Sequence, residues 1–412
     1  MKLQMKNYKV DDVQFSSETL YSDGVLSLDK DALIKEVMAG VEGIEIKLSI
    51  AKPGDKTRIT HVMDSAKPVY KLNGPTFPGL VDASEKVGEG ETLTLDGIAV
   101  VQTGSYPGVM EGIIDMHGEG SKYSYFSNTV NLVVEMNVID EMSSETFAKL
   151  SKEIVLKTAK LVALAACDQE PTSVQTFEKN QNVDGLKKVG YVCYMESLGL
   201  FRNVYLYGKD TTDIRPKVVH PNEIIDGALV SGNFEIAAHK NPTYFHQTNP
   251  IITELCKRDG KELSFEGVIL STERGVLEIK ESYAKEIALF AQEMNLDGVI
   301  ISKEGGGHAD ADLMLCVKEL QERGIDTVIT LNEIGGPNGD LPPIVSATPE
   351  ADAVISNGNN DELITFDSVE TVLGGEMING SIDAKTSFES SVGLVYCSTN
   401  QLGVNTMAIK EY

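Results

Sequence analysis

The stretch from Ser282 to Leu331 limits what this chain can fold into more than any other. SYAKEIALFAQEMNL carries apolar residues at helical spacing and runs into the short apolar segment GVIIS. KEGGGHADADLMLCVKELQERG follows, a glycine-rich turn feeding an amphipathic helix that Gly324 can end, and IDTVITL is a second apolar run of strand length. Strand, helix and strand at this spacing make a βαβ unit, and such units build parallel sheets with helices on their faces. ADAVISNG, from Ala351, repeats the strand-then-turn pattern. The fold class is read as α/β: a β-rich N-terminal region plus βαβ units with a parallel or mixed sheet.

The β-rich region lies upstream. IEIKLSIAKPG, ETLTLDGIAVVQTG and NTVNLVVEMNVID are short apolar or alternating runs divided by Gly, Pro and Asp. KLNGPTFPGL and DMHGEGSKYSYFSN, between them, read as long aromatic loops with a functional flavour. A helix is predicted over SSETFAKLSKEIVLKTAKLVALAAC. Ser143 or Ser144 can cap it, and Phe147, Leu150, Ile154, Leu161 and Leu164 recur near helical spacing. Strands are predicted in KVGYVCYMESLG and NVYLYG. A chain of 412 residues calls for more than one domain. The expected division is a β-rich domain over 1–142, an α/β domain over 143–376, and short C-terminal strands over 377–412 packing back on the core.

Composition removes several function classes. With 62 acidic and 36 basic residues the net charge is −26, and such a surface repels phosphate backbones, so nucleic acid is not an expected partner. The five cysteines are scattered and form no C-x-x-C, which suggests reduced thiols rather than disulfides or zinc. No window reaches the apolar length of a membrane span, and the first residues do not read as a signal peptide. A soluble cytoplasmic protein with no membrane partner is expected.

The turn EGGGHADAD, Glu304 to Asp312, follows a strand and opens a helix, which is where open α/β sheets bind ligands. Its carboxylates Glu304, Asp310 and Asp312 make a phosphate unwelcome, and their plainer role is to suit the helix dipole. The histidines His61, His117, His220, His239, His246 and His308 form no helical pair with a Glu, so no metal site is read. A second notable stretch, LVSGNFEIAAHKNPTYFHQTNPII over 229–252, is read as a mostly irregular loop in which His239 and His246 hydrogen-bond locally. Its aromatics Phe234, Tyr244 and Phe245, with Tyr123, Tyr125 and Phe126, either pack loops onto the core or hold a quaternary ammonium by cation–π attraction.

SGN followed by KNPTYFHQTNPII resembles component B of the glycine, sarcosine and betaine reductases, in its proprotein-type subunit. DVQF, LSIAKPGDKTRI, TFPGL, EGIIDM, VYLYG, DGALVSGN, LDGVIISKEGGGHADADL and ADAVISNGN agree in order, over essentially all 412 residues. In the glycine and sarcosine members the resemblance implies a Cys after SGN. The chain is cut at that Asn-Cys bond, and the Cys becomes a pyruvoyl group that condenses with the substrate amine. Here Phe234 follows Asn233, and it has no heteroatom to attack the preceding peptide. Ser231 is displaced from the cut site. An uncleaved chain with no pyruvoyl cofactor is expected. A quaternary amine has no N–H to lose and gains nothing from such a carbonyl, so the departure points to the betaine reductase component B alpha subunit.

The resemblance implies reductive deamination of betaine to trimethylamine and acetyl phosphate, with reduced thioredoxin, as in the amino-acid fermentation of anaerobes. The implied partners are a selenoprotein beta subunit of component B, the component A selenoprotein, component C and the thioredoxin system. A hetero-oligomer of two alpha and two beta chains is expected. No catalytic residue is assigned to this chain, and Cys316 is expected to be a buried structural thiol. Substrate binding is assigned to Phe234, Tyr244, His246, Lys240, Asn249, Glu304 and Asp310, with Lys240 or backbone N–H groups near Gly305–Gly307 for the carboxylate. Phe234 alternatively plugs the space of the absent pyruvoyl. The alternative function is a non-catalytic structural or regulatory subunit of a glycine or sarcosine reductase-type complex.

Overall fold

The computed structural model describes residues 1–105, 112–179, 183–197, 203–232, 237–405 and 408–409. It is mixed α/β, with 25% helix and 35% strand. Among the described residues the largest sheet has seven strands. Their order is Lys217–Val219, Ser264–Thr272, Lys188–Met195, Gly298–Ser302, Asp326–Glu333, Val354–Asn359 and Ala408–Ile409. The five inner strands run parallel, and the two outer ones antiparallel to their neighbours.

This sheet is buried on both faces, which is why its strands read as unbroken apolar runs. Along Lys188–Met195, Tyr191, Cys193 and Met195 join one core with Leu270, Ile252 and Phe245. Val192 and Tyr194 join another, with Ile287 and Ala291 of helix Leu277–Glu293 and Leu313 and Val317 of helix His308–Gln321. In chain order, Lys188–Met195 is followed by Ser264–Thr272 on one side and then by Gly298–Ser302 on the other. The winding reverses there. The crevice outside the carboxyl ends of Lys188–Met195 and Gly298–Ser302 is the topological switch point of the sheet.

The N-terminal region holds two four-stranded sheets. One orders Ser173–Glu178, Lys2–Lys9, Gly90–Asp96 and Val69–Lys71; the other orders Ile44–Ala51, Val130–Val138, Ile98–Ser105 and Asp64–Ala66. Helix Ser144–Leu164 forms as its sequence suggests, with Ser143 Oγ accepting from the Thr146 amide at 3.1 Å. Its Phe147, Ile154, Val155 and Val162 share a core with Leu93, Val100 and Leu132 of those two sheets. The region also contains a short helix, Lys30–Val37, capped by Asp29. Eight residues give too few turns for periodicity alone to reveal it.

Two local expectations are corrected. The strand expected over NVYLYG is only Tyr205–Leu206, because Tyr207 and Gly208 take positive φ and turn the chain back to Lys209–Asp210. The stretch over 229–252 is not a surface loop. Helix Thr243–Gln247 follows Pro242 as its N-cap, helix Pro250–Arg258 starts at Pro250, whose fixed φ suits a first turn, and the described residues from Leu229 to Phe245 are buried. No helix among the described residues is long and apolar enough to cross a membrane.

Candidate functional site

Charged side chains with no business in a core converge at the switch point. Glu196 follows strand Lys188–Met195, Glu273 follows Ser264–Thr272, and Lys303 and Glu304 follow Gly298–Ser302; all four are buried. Glu304 Oε1 accepts from the Asn241 amide at 3.1 Å, and Oε2 from the Glu196 amide at 2.9 Å. Glu304 therefore pins the 229–252 segment to the ends of the parallel strands. Lys303 Nζ donates to the Gly305 carbonyl at 2.8 Å and pairs with Asp310 at 2.9 Å. Asp312 pairs with Lys280. Both aspartates thus turn inward into ion pairs, beyond merely facing the dipole of helix His308–Gln321. Burial pushes the Glu273 carboxyl well above the usual range, against the pull of Lys303.

Gly305 and Gly306 are required by this crowding. A Cβ at Gly305, whose φ is +67°, would lie 3.0 Å from Glu196 Oε2; one at Gly306 would lie 2.9 Å from His239 Cε1. His239 is fully buried. Its Nε2 accepts from Asn332 Nδ2 at 2.8 Å and from the Asn360 amide, which places the ring proton on Nδ1. Burial lowers its pKa to about 3, with Lys303 adding to the effect.

A second charged group braces the backbone just before Asn233. Lys152, on the apolar face of helix Ser144–Leu164, pairs with Asp64 at 3.0 Å and donates to the Ser231 carbonyl. Asp64 also accepts from Thr243 Oγ1 at 2.7 Å, while Thr243 Oγ1 accepts from the Ser231 amide at 3.0 Å. Ser231 Oγ donates to the Asn241 carbonyl at 2.7 Å. The buried segment Tyr396–Leu402 closes over the same residues: Asn400 donates to the Lys240 carbonyl at 2.6 Å and Gln401 to the Gly305 carbonyl at 2.7 Å.

The substrate-binding residues read from the sequence divide accordingly. Lys240, His246, Glu304 and Asp310 are buried in this region. Asn249 instead caps helix Pro250–Arg258, accepting from the Ile252 amide at 3.0 Å. Tyr244 sits in an aromatic cluster, its ring centroid 5.6 Å from Tyr125 and 5.5 Å from Phe126, with Phe245 stacked on Phe126 at 5.3 Å. Asn233 and Phe234 lie outside the described residues. Burial raises the pKa of Cys193, Cys256 and Cys316 to about 12 and pushes that of Cys397 well above its ordinary value, so none of these thiols is held as a thiolate. Among the described residues no group of three or more His, Cys, Asp or Glu side chains is placed to hold a metal ion.

Sequence reasoning missed Asp64, Lys152, Glu196, Glu273, Lys303 and the 396–402 segment. For Lys152 a signal existed: a lysine at an apolar position of an amphipathic helix. For the others the residue type alone carries no flag.

Buried charged residues gathered at the carboxyl ends of parallel strands define the class of the chain as an α/β protein with its polar cluster at the switch point. Comparison with known proteins is consistent with that reading and more specific. The chain belongs to the glycine/sarcosine/betaine reductase component B subunits, whose family model matches residues 1–410. It is 36% identical to the glycine reductase complex component B subunits alpha and beta of Peptoclostridium acidaminophilum. To the sarcosine and betaine reductase complex component B alpha subunits of the same organism it is 33% and 32% identical. Each match covers 100% of both chains. No solved structure matches. Identities so close together do not choose among the three substrates.

Proposed function

We propose that this chain is the substrate-holding subunit of a betaine reductase component B, acting with a selenoprotein partner. One observation carries the reading: Phe234 stands after Asn233, where the glycine and sarcosine members that the chain resembles have the Cys that matures into a carbonyl. Phenylalanine has neither a nucleophile to split the chain nor a β-substituent to eliminate. Without that carbonyl a primary or secondary amine stays a poor leaving group. Betaine needs no activation, because its nitrogen carries a fixed positive charge.

In the proposed reaction a selenolate of the partner attacks the methylene carbon of betaine. The C–N bond breaks, its electron pair leaves with trimethylamine, and a carboxymethyl selenoether remains for the later components to convert to acetyl phosphate. The elevated thiol pKa values support placing the nucleophile on another chain. This subunit's part is to bind, orient and exclude water. Phe234 and Tyr244 are the aromatic residues assigned to the trimethylammonium group, at roughly 2 kcal/mol for a desolvated contact.

The test is intact mass together with a substrate panel on the purified complex. The expected result is one undivided polypeptide and trimethylamine released from betaine, with no turnover of glycine or sarcosine. Two fragments with a blocked new terminus, or turnover of glycine, defeats the proposal.

A further inference from the structure

Thr243–Gln247 is a helix of five residues, packed against strand Asp64–Ala66, and it carries His246 into the interior. His246 is 0% exposed, and among the described residues neither of its ring nitrogens has a hydrogen-bond partner. A neutral imidazole has one N–H donor and one acceptor, and leaving both unmet in a core is costly. Lys240 is 4% exposed, and among the described residues its ammonium makes no hydrogen bond or ion pair.

Lys240 and Lys152 both depress the His246 pKa, which burial first and then these two cations bring to about 3, and Lys240 also lowers that of Lys152. The nearest committed carboxylate, Asp64, is spent on Lys152, Thr243 and the Ser65 amide. Glu304 is engaged by the amides of Asn241 and Glu196, and the Cys397 thiol is neutral. Among the described residues Lys240 therefore has no carboxylate in direct contact, and both ring nitrogens of the nearby His246 are unsatisfied. Buried donors without a partner are retained at a cost, which an anion accepting from them removes.

We propose that Lys240 and His246 form a carboxylate-binding site that seats the anionic end of the substrate. Lys240 supplies the charge and His246 one N–H, while Lys152 contributes field without contact. The proposal rests on the substrate-holding role above and fixes the orientation that role leaves open. The next residue after Lys240 is Asn241, whose amide is held by Glu304; with the carboxylate at Lys240, the cationic end is left to the aromatic residues assigned above.

The experiment titrates acetate, betaine and choline into the full chain while the ring nitrogens of labelled histidines are followed by NMR. Acetate and betaine are expected to shift the His246 resonances saturably, and choline, which has the same cation without the carboxylate, is not. Lys240→Met weakens acetate roughly 10- to 100-fold, the scale of one charged hydrogen bond. Lys240→Arg, which keeps the charge, retains most of the binding, so a loss in Lys240→Met is not a loss of fold. A His246 signal indifferent to acetate, or unchanged acetate affinity in Lys240→Met, overturns the proposal. If acetate binds at His246 but the complex turns over glycine, the carboxylate site stands and the betaine reading falls. If betaine is turned over while His246 stays silent, the site falls alone.

Discussion

The ammonium of Lys152 lies 3.0 Å from Oδ2 of Asp64, with both side chains buried and 88 residues apart in sequence. The pair joins helix Ser144–Leu164 to strand Asp64–Ala66, and through the Ser231 carbonyl it fixes the chain leading to Asn233. Removing one partner of such a pair strands a charge in the core. Lys152→Met is expected to cost about 3–5 kcal/mol of stability in urea unfolding. Adding Asp64→Asn should recover part of that loss, since the orphaned charge disappears while Thr243 keeps an acceptor. A single-variant cost below about 1 kcal/mol sets the pair aside as a brace.

Arg58, on strand Thr57–Ile59, clamps the C-terminal segment to that strand and its partner Ile114–Asp115. Its Nε and Nη2 donate to Asp115 at 2.6 and 2.8 Å, and its other donors reach the carbonyls of Ala384 at 2.7 Å and Asp367 at 2.8 Å. The guanidinium also lies 4.9 Å from the Phe388 ring centroid. Lysine cannot reproduce the fork or the stacking. Arg58→Lys should lower stability by about 2–4 kcal/mol. Limited proteolysis should then cut first between 367 and 391; an unchanged digestion pattern speaks against the clamp.

Acid should destabilise the fold through two histidines. His239 and His246 are held neutral, with pKa values lowered to about 3 from 6.5 chiefly by burial. Between those values the unfolded chain binds more protons than the folded one, so stability falls as pH drops below about 6.5 and is level above it. Each group contributes about 2 kcal/mol of loss by pH 5. Glu273 acts in the opposite sense: its raised pKa means the folded state holds a proton that the unfolded one releases above 4.5, which favours folding as pH falls. Comparing His246→Asn with the parent isolates the histidine, and the variant should show the shallower decline between pH 7 and 5. Parallel curves would mean that His246 is not buried in its neutral form.

Gly306→Ala should disturb the site with little effect on the sheet. The added methyl group would stand 2.9 Å from His239 Cε1 and 3.1 Å from Ile334 Cδ1, and the imidazole is held in place by two carboxamides. The expected stability loss is about 1–3 kcal/mol, the usual range for overpacking. Substrate affinity should fall as well, and wild-type affinity would detach this turn from the site.

Much of the architecture was legible because it is local. The apolar run GVIIS became strand Gly298–Ser302 and the helix after the Gly-rich turn became His308–Gln321, since helical and strand periodicities are properties of neighbouring residues. NVYLYG misled because its last two residues turn at positive φ, and the close backbone approach of Gly79 to Tyr207 and Gly208 that fixes this turn comes from elsewhere in the chain. The site was half visible. Lys240, His246 and Glu304 stood in stretches already marked as unusual, whereas Asp64, Lys152 and Glu273 looked like any other charged residues.

Sequence alone determined the parallel sheet, its covering helices, the family and the Phe after Asn233, because each is written in adjacent side chains. Which charges would meet was settled only by the tertiary structure. Strands from three places in the chain end side by side, and burial there makes every unpaired proton and charge expensive. Lys152 consequently has to find Asp64, Glu304 has to take the Asn241 amide, and both ring nitrogens of His246 are left without a partner among the described residues.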